Sequence, residues 1–435
     1  MDRRPNILLF TIDTLRADHT STYGYARETT PTLTRLASHA TRFERAYSTS
    51  SWTVPAIASI LTGLTPSAHG VQHGFWLDHE TVVGQETLPT QLPTIATQLH
   101  DAGYRTIGVV ANVHLDPMLG FGRGFDSYTA LDFTATTTEV NAAVTRELDA
   151  LHGSEPYFLW VHLIEPHAPY QPRRPIFDTW RPAGSPEYTA IDSYMLEEFL
   201  DVLMTHENIP RADGLAYVTA AYDSEIFTAD AYLGTLLDRI DDGHLAIVVS
   251  ADHGEELRDH ARYGHGHTGF EEVTRVPLVI AQPGRSEARV VRTPVSLVDV
   301  LPTLLEIAGA PPIEATDGRS LVRATLGDAL EERDVVIETG RGHEVVQAIV
   351  RGDDKYGRVV APFTFEVLFD LRLDPHETHD RLREAPDVAA SLRERLDRYL
   401  AVAAARRPPM TVAPIEIRDE VRAQLEALGY APTRE

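Results

Sequence analysis

Three separated stretches of this chain carry side chains that could together act on an ester of phosphate or sulfate. The segment 51–63 places Thr53 where a helix should begin. Upstream, Asp13 follows a short apolar run, and far downstream Asp252 and His253 follow another. A hydroxyl at a helix N-terminus, together with carboxylates and an imidazole from two strand ends, is the set that metal-assisted attack on such an ester requires.

Asp13, Thr53, Asp252 and His253 are therefore the candidate metal ligands. Carboxylate, hydroxyl and imidazole donors suit zinc, manganese, magnesium or calcium, depending on geometry. One bound divalent cation would lower the pKa of the Thr53 hydroxyl and make it a nucleophile, and the helix dipole would stabilise an anionic group beside it. The structural alternatives are an N-cap role for Thr53 and a cap or turn role for each aspartate.

Histidines form a second candidate layer around this centre. His162 and His167 lie where a third apolar run ends, and His265 and His267 follow the downstream aspartate by 13 and 15 residues. Lys355 is the one lysine of the sequence, so protonated histidine and arginine must offset the negative charge that develops on the substrate. We predict this role for His167 and His265. Turn or surface positions are predicted for His19, His39, His69 and His73.

Short apolar runs alternate with segments of helical spacing along most of the chain. Asn6 to Ile12 is almost continuously apolar, which predicts a strand that is covered on both faces. The alternation favours an α/β fold with a mostly parallel sheet and helices on both faces, in which ligands bind at the carboxyl ends of the strands. The other predicted strands are 106–110, 157–161, 245–249 and 276–280, and the predicted helices are 89–100 and 217–240.

Two later segments depart from this alternation. Residues 171–214 are rich in proline and poor in apolar runs, which predicts a lid insertion over the site, or else a surface excursion. From residue 334 onward, alternating runs predict a small antiparallel sheet. We therefore divide the chain into a catalytic domain, 1–333, and a C-terminal α+β subdomain, 334–435. The runs of this subdomain are 335–338, 344–351 and 365–370, followed by helices at 387–405 and 420–428.

The composition excludes several classes of protein. With 39 basic and 64 acidic residues the formal net charge is −25, so the surface repels nucleic acid and anionic membranes. Such a charge is tolerated best where salt screens it, which favours a high-salt cell interior over the alternative of a genomic GC bias. The absence of cysteine excludes disulfides and thiolate sites. Because no apolar run reaches membrane-spanning length, we expect no membrane span and a cytoplasmic location.

Several ordered motifs make the chain resemble the sulfatase branch of the alkaline phosphatase superfamily over nearly its whole length. The resemblance implies that Asp13, Asp252 and His253 hold the metal and that residue 53 is the nucleophile. It also implies an anionic ester substrate, contacted by Asn112, His114 and His267 and flanked by His167 and His265. The motifs are Pro5 to His19, Leu61 to Gly70, Glu165 to Tyr170, Ser250 to Glu255, Arg275 to Val279, Asp317 to Leu321, and Leu368 to Leu371 with Asp374 to Glu377.

The chain departs from that family at the nucleophile. Sulfatases place a cysteine or serine there, which is oxidised to formylglycine, followed by proline and then arginine; this chain has Thr53, Pro55 and Ile57. Formylglycine is therefore not expected. Two lysines of the family are also replaced, by Asn112 and His265.

The threonine favours phosphoryl chemistry. A formylglycine hydrate expels sulfate by collapsing to an aldehyde, whereas a sulfated threonine has no such route and a phosphothreonine can be attacked at phosphorus. We therefore predict a metal-dependent phosphoester hydrolase, phosphodiesterase or phosphotransferase. A sulfuric ester hydrolase that uses unmodified threonine and a non-catalytic protein that binds an anion or glycan are the alternatives.

The number of metal ions is a separate prediction. Relatives with two metals carry an additional set of aspartate and histidine ligands. Asp223 lacks such a histidine nearby in the sequence, so one metal is expected.

Overall fold

A nine-stranded, mostly parallel sheet forms the centre of the computed structural model. The structure describes residues 4–73, 76–78, 81–84, 86–151, 155–185, 211–341, 344–361, 363–409 and 418–427. Its strands are β1 (Asn6–Ile12), β2 (Thr41–Tyr47), β3 (Trp76–Asp78), β4 (Thr81–Gly84), β5 (Arg105–Val110), β6 (Ser127–Ala130), β7 (Tyr157–Leu163), β8 (Leu245–Ala251), β9 (Glu256–Leu257), β10 (Tyr263–Gly264), β11 (Arg275–Ala281), β12 (Arg289–Val291), β13 (Val295–Ser296), β14 (Val335–Arg341), β15 (Glu344–Arg351), β16 (Asp354–Ala361) and β17 (Phe365–Asp370).

Helices cover both faces of the central sheet. One group packs α1 and α5 against the long helix α7, and the other packs α2 against α3, α4 and α9. Within the described residues, no helix combines the length and apolar character that crossing a membrane requires. The helices are α1 (Pro31–Ala37), α2 (Thr53–Thr62), α3 (Pro66–His69), α4 (Ile95–Asp101), α5 (Thr137–Asp149), α6 (Ile176–Trp180), α7 (Arg211–Ile240), α8 (Glu271–Thr274), α9 (Val300–Ala308), α10 (Val322–Thr325), α11 (Pro386–Arg406) and α12 (Asp419–Ala427).

The order of strands in the central sheet is β12-β2-β11-β8-β1-β7-β5-β6, with β13 also paired to β2. The four neighbours β8, β1, β7 and β5 run parallel, whereas β11 is antiparallel to both β8 and β2. Every residue of β1, β7 and β8 is buried, as expected for near-continuous apolar runs covered by helices on two faces. The predicted α/β architecture is thus confirmed.

The register of β1 brings three strand ends to one edge of the sheet. Ile12 pairs with Leu163 on one side and with Ala251 on the other. The residues that follow, Asp13 and Asp252, therefore leave the sheet side by side. The backbone N–H of Asp13 also donates to the carbonyl of Leu163 at 2.9 Å, which extends the pairing by one residue.

All five predicted strands of the large sheet form, but two of its longer strands were not anticipated. β2 and β6 are largely polar, with charged or hydroxyl side chains at most positions, so they lack an apolar run. Helix α4 begins at Ile95 rather than residue 89, because Thr94 caps it with a reciprocal bond to Thr97. Helix α7 begins at Arg211, so the last residues of the expected lid are helical. Of that lid, residues 186–210 lie outside the described part of the chain.

A four-stranded antiparallel sheet, in the order β14-β15-β16-β17, follows the large sheet in the chain. One face packs on Tyr47 and Phe270 of the preceding region, and the other packs on α11. Strand β16 was missed because Lys355, Gly357 and Arg358 interrupt its apolar pattern. The division of the chain at residue 333 stays a prediction.

Lys355 connects this antiparallel sheet to the rest of the molecule. Lys355 is only 2% exposed, and its Nζ lies 3.1 Å from Glu271 Oε1 and 3.0 Å from Glu377 Oε1. Burial alone would lower the pKa of Lys355, but the charges of Glu377 and Glu271 raise it, so the side chain stays charged.

Replacing Lys355 by methionine should destabilise the protein strongly. The substitution leaves two carboxylates buried without their cation, and breaking a buried ion pair in this way costs about 3–5 kcal/mol. Urea denaturation measures the change in the free energy of unfolding. Arg398→Met is the matched control, since Arg398 makes an exposed pair with Glu394 that should contribute at most about 1 kcal/mol. Equal effects of the two substitutions would contradict this interpretation.

Candidate active site

The four predicted metal ligands meet at the carboxyl edge of the central sheet. Thr53 Oγ1 lies 3.5 Å from Asp13 Oδ2 and 3.3 Å from His253 Nε2. His253 Nε2 in turn lies 3.4 Å from Asp13 Oδ1 and 3.4 Å from Asp252 Oδ2. None of the four residues is more than 1% exposed. The cluster is thus a closely spaced, buried group of oxygen and nitrogen donors.

Backbone contacts orient Asp252 and His253 toward this cluster. The N–H groups of Thr14 and His253 both donate to Asp252 Oδ1, at 3.3 and 2.9 Å, which leaves Oδ2 facing the other donors. His253 Nδ1 lies 2.8 Å from the carbonyl of Gly254, an arrangement that puts the ring proton on Nδ1 and the lone pair on Nε2. Gly254 allows this packing, because a Cβ there would come within 1.9 Å of the carbonyl oxygen of Glu272.

His162 belongs to the same group, although the sequence did not single it out as a ligand. Its Nε2 lies 3.6 Å from Asp13 Oδ2, and one donor atom each from Asp13, His162 and Asp252 lie within 4.8 Å of one another. His162 pairs directly with Thr11 in the parallel register of β7 and β1. A polar residue inside a fully buried strand, one position before its last residue, is the signal that could have identified it.

Thr11 determines which nitrogen of His162 carries the proton. Thr11 Oγ1 accepts from Trp160 Nε1 at 3.0 Å, lies 2.9 Å from His162 Nδ1, and is within 3.3 Å of the carbonyl of Val161. A hydroxyl donates one hydrogen bond and accepts two, so all contacts are satisfied when Thr11 donates to Val161 and His162 Nδ1 donates to Thr11. His162 Nε2 then presents a lone pair to Asp13.

The donor set fits a divalent metal. Asp13 Oδ1, Asp252 Oδ2 and His162 Nε2 are buried and have no hydrogen-bond partner among the described residues. Burial and the charge of Asp13 raise the pKa of Asp252, because two carboxylates this close cannot both ionise at low cost without a cation. Burial would also raise the pKa of Asp13, but His162, His167 and His253 lower it to about 2. Mixed carboxylate and imidazole donors suit zinc or manganese, whereas calcium is typically bound by oxygen ligands alone.

Thr53 is the first residue of α2, as the sequence predicts. The residue before it, Trp52, is extended and makes no side-chain capping bond, and all ten residues of the helix are buried. The Thr53 hydroxyl points at Asp13 and His253 instead of capping its own helix. Its oxygen therefore sits between the positive end of the helix dipole and the acidic cluster.

Asn112 and His114 lie beside this centre. Asn112 Nδ2 donates to Asp13 Oδ2 at 2.6 Å, and Asn112 Oδ1 accepts from the backbone N–H of His114 at 2.8 Å. His114 is buried and meets the Trp52 ring edge-on. Asn112 thus orients Asp13 directly. The sequence analysis predicted only a substrate-binding role for Asn112.

His167 and His265 form a second group over the cluster. The ring of His265 lies 4.6 Å from that of His253 and 4.9 Å from that of His167, centroid to centroid. His265 Nδ1 lies 3.0 Å from Glu255 Oε1. His267 is placed further out, in the wall of a cavity of about 300 Å³ between this loop and the antiparallel sheet.

Burial changes the expected protonation of these histidines. Burial, followed by the charges of neighbouring histidines and of Arg341, lowers the pKa of His265 well below its usual value. Burial also lowers the pKa of His167, and the charge of Asp13 offsets this only in part. Both imidazoles are therefore neutral before substrate binds, whereas the sequence analysis expected them to be protonated. The physical reason is that several rings share one buried volume, where each positive charge disfavours the next.

Arg341 is the permanent positive charge of the site, and the sequence analysis missed it. It ends β14, and its Nη1 lies 3.5 Å from the carbonyl oxygen of His265. Its charge contributes to lowering the pKa of His114, His167, His253 and His265. Its aliphatic part packs on Gly266, where a Cβ would come within 2.8 Å of the arginine side chain. The antiparallel sheet thus contributes a residue to the site.

Two of the histidines expected at turns or at the surface are buried supports instead. His69 Nε2 lies 3.0 Å from Ser59 Oγ, and its Nδ1 accepts from the N–H of Val71 at 3.0 Å, so it braces α2. His19 Nδ1 lies 2.7 Å from Asp223 Oδ1. The sequence analysis did not expect burial at these two positions, and the partner of His19, Asp223, is 204 residues away in the sequence. His39 is exposed and His73 half-buried, as expected.

Asp223 therefore does have a histidine partner, although that histidine comes from another part of the chain. The second oxygen of Asp223 accepts from Tyr25 at 2.8 Å and from Arg27 at 2.7 Å. Because His19 contacts the first oxygen, both oxygens of the Asp223 carboxylate have partners in the loop after β1, and they connect helix α7 to that loop. The contacts of Asp223 thus form a structural link between these two parts of the chain.

Comparisons with known proteins place the chain in a family. The sequence model of the family described as Sulfatase matches residues 5–310. The chain is 26% identical to the uncharacterised sulfatase YidJ of Escherichia coli (strain K12), over 92% of this chain and 87% of that protein.

Two solved structures share the fold. A protein in complex with its substrate D-glucosamine-2-N,6-O-disulfate superposes with a TM-score of 0.77 at 18% identity, covering 93% of this chain and 99% of that one. The phosphonate monoester hydrolase of Agrobacterium radiobacter superposes with a TM-score of 0.74 at 20% identity, covering 92% and 96%. The chain belongs to the sulfatase family of the alkaline phosphatase superfamily and is an ester hydrolase of that superfamily.

Proposed function

We propose that this protein hydrolyses or transfers the phosphoryl group of a phosphate ester, with Thr53 as nucleophile and one divalent metal ion as cofactor. The observation that supports this most strongly is the position of Thr53 Oγ1, which is 3.5 Å from Asp13 Oδ2 and 3.3 Å from His253 Nε2 at the start of a helix. A threonine whose only task was capping would direct its oxygen at the backbone N–H groups of its own helix.

The residues that would hold the metal are Asp13, Thr53, Asp252 and His253, with His162 as a further donor. A divalent cation bound there would supply Lewis-acid chemistry, by lowering the pKa of the Thr53 hydroxyl and offsetting charge on the ester. Asp13 Oδ2 lies close enough to accept the proton that leaves Thr53. Asn112 holds that carboxylate in place.

The reaction divides into two displacements at phosphorus. In the first, Thr53 Oγ1 forms a bond to phosphorus while the bond to the ester oxygen breaks, and the departing alcohol takes up a proton. In the second, water or an acceptor alcohol attacks the phosphothreonine, its proton is lost, and Thr53 is released. Arg341 and the positive end of α2 would stabilise the negative charge that develops on the phosphoryl oxygens.

In this proposal, His167 and His265 handle the proton of the leaving group. Both are neutral before substrate binds, and an anionic ester nearby would raise the pKa of each imidazole and favour its protonated form. Glu255, against His265 Nδ1, orients that ring. These residues would thus gain their positive charge only when substrate is present.

Phosphate is favoured over sulfate because of the chemistry of threonine. Its β-carbon bears a methyl group and a single oxygen, so a sulfated Thr53 cannot collapse to an aldehyde and expel sulfate. A sulfuric ester hydrolase that uses unmodified threonine is the second candidate, and membership of the sulfatase family is the observation that favours it. A protein that only binds an anion or a glycan is the third candidate.

A small ester panel separates these candidates. Purified protein is stripped of metal, reloaded separately with zinc, manganese, magnesium or calcium, and given aryl phosphate monoesters, aryl phosphate diesters and aryl sulfates. We expect metal-dependent turnover that is fastest on a phosphate ester. Faster turnover of the sulfate would favour the second candidate, and absence of turnover on every ester with every metal would favour the third.

Replacing His162 by glutamine should weaken metal binding without removing it. The variant loses one imidazole donor while the two carboxylates and His253 remain, and losses of about 10- to 100-fold in metal affinity are typical when one supporting group is removed. Competition with a chelator measures the affinity, and the preference for zinc over magnesium should fall with it. Unchanged affinity and selectivity would show that His162 does not contact the ion.

A further inference from the structure

A small cavity borders His167, one of the two histidines proposed to act on the leaving group. Its volume is about 40 Å³, and it lies between the segment that follows β7 and the middle of helix α7. His167 forms part of its wall, so the cavity adjoins the proposed reaction centre. The other polar lining residues are Thr134, Glu165, Gln171, Arg173, Glu225 and Thr228.

Two buried carboxylates face this cavity. Glu225 is only 3% exposed; its Oε1 accepts from the backbone N–H of Gln171, and its Oε2 has no hydrogen-bond partner among the described residues. Glu165 Oε2 is equally buried, and it too has no partner in the described part of the chain. Each of these oxygens has lost its water without gaining a protein donor, which is costly unless a ligand supplies one.

The proposed mechanism assigns no role to Glu165 or Glu225. Burial raises the pKa of Glu225 well above its usual value and also raises the pKa of Glu165. Arg173 lowers the pKa of both carboxyls only in part, since its side chain is exposed to solvent. A cation enclosed in the cavity would compensate both carboxylates more fully than this arginine does.

We propose that the cavity binds a primary ammonium group carried by the alcohol part of the ester substrate, with Glu165 and Glu225 as its anionic partners. This assignment rests on the proposed function for the position of the ester group beside His167. The substrate class is therefore an aminoalkyl ester, with the amine a short chain away from phosphorus.

The shape and donor count favour an ammonium group over a metal ion. An ammonium has three N–H donors, and the cavity offers Glu165 Oε2, Glu225 Oε2 and the hydroxyl oxygen of Thr228, whose proton is given to the carbonyl of Ser224 at 2.9 Å. A volume of about 40 Å³ holds one such group. Calcium requires six to eight oxygen ligands, more than these three residues supply.

The test has a binding arm that requires no turnover. Calorimetry compares ethanolamine with ethylene glycol, which has the same size but no charge, on wild-type protein and on the Glu225→Gln and Glu165→Gln variants. Glutamine keeps the volume of the side chain and removes its charge. Glu155→Gln is the control, because Glu155 is an exposed carboxylate that precedes β7 at the opposite edge of the sheet.

We expect ethanolamine to bind wild-type protein and the Glu155→Gln control alike, and to bind each cavity variant about tenfold or more weakly, since a charged hydrogen-bonding partner is lost. Ethylene glycol should not bind measurably to any of them. Equal binding of ethanolamine to all four proteins, or no binding to wild type, would overturn the proposal. Displacement of ethanolamine by calcium alone would identify a metal site and also overturn it. Should one variant fail to fold, the other decides the outcome.

A kinetic arm keeps this inference separate from the proposed function. The substrates are phosphoethanolamine and ethyl phosphate, whose leaving alcohols differ only in the ammonium group, and the released phosphate is measured. Wild-type protein should prefer phosphoethanolamine in kcat/KM by about tenfold, and Glu225→Gln should abolish that preference. Turnover without a preference overturns the ammonium site alone. Absence of turnover on both esters, with ethanolamine still bound, overturns the phosphoester proposal and leaves the ammonium site standing.

Discussion

Thr53→Ala should reduce turnover of the best ester substrate by about 10³-fold or more, because removal of a covalent nucleophile leaves only binding and charge stabilisation. The loss should appear in kcat rather than in KM, since the rest of the pocket is retained. The folded structure should survive, as the hydroxyl has no capping role in α2. Stopped and continuous assays at saturating substrate measure the effect.

Two further substitutions control this result. Thr53→Ser keeps a hydroxyl at the same place and should retain substantial activity, whereas Thr235→Ala removes an exposed threonine of α7 and should change nothing. Full activity of Thr53→Ala would mean that another group attacks the ester. A loss shared equally by Thr235→Ala would indicate a general effect on folding.

Asp13→Asn should have the second largest effect, on both metal content and activity. Asp13 contacts Thr53, His253, Asn112 and His162, so its carboxylate lies at the centre of the donor set. The amide has the same shape but lacks the charge, and we expect metal occupancy to fall with at least about a hundredfold loss of activity. Elemental analysis after dialysis measures the bound metal.

A thermal shift provides a readout of the same change that does not depend on turnover. Ligands that bind only the folded state raise the melting temperature, so wild-type protein should be stabilised by added zinc or manganese. Asp13→Asn should lose that response, whereas Asp149→Asn, which changes a carboxylate at the surface, should keep it. An unchanged metal response in Asp13→Asn would remove Asp13 from the ligand set.

The central sheet could be predicted because its signals are local. A run such as Ile7 to Phe10 must be covered on both faces, and the aspartates that follow two such runs had to meet once the strands were parallel. The meeting of Asp13, Thr53, Asp252 and His253 follows from that topology. Apart from β16, the C-terminal strands and helices also lie close to their predicted ranges, because their sequence patterns are local as well.

The remaining site residues depended on long-range packing that no local pattern encodes. His162 is identified as a site residue only by its register with Thr11 in the parallel sheet. Arg341 is identified only by the position of the antiparallel sheet. Asp223 required three partners from a loop nearly 200 residues away in the sequence. The protonation of His167 and His265 was misjudged because burial, which the sequence does not reveal, sets the sign of the pKa shift.

Because lysine is so scarce, the one lysine and an arginine of the antiparallel sheet supply positive charge at two positions of this protein. The one lysine is buried under the antiparallel sheet, and an arginine from that sheet stands near the histidines of the site. Adaptation to a high-salt cytoplasm stays a prediction, which activity and melting temperature measured against salt concentration would test. We expect both to increase from low to molar salt, because self-repulsion of a chain with net charge −25 is then screened.

Mass spectrometry of the reacting enzyme tests the central claim most directly. Metal-loaded protein is mixed with an aryl phosphate ester, quenched in acid during turnover, digested and sequenced across the peptide that contains Thr53. We predict a phosphoryl group on Thr53 that is absent from the metal-free protein and disappears once substrate is exhausted. Turnover with an unmodified Thr53, or with the phosphoryl group on another residue, would contradict the account.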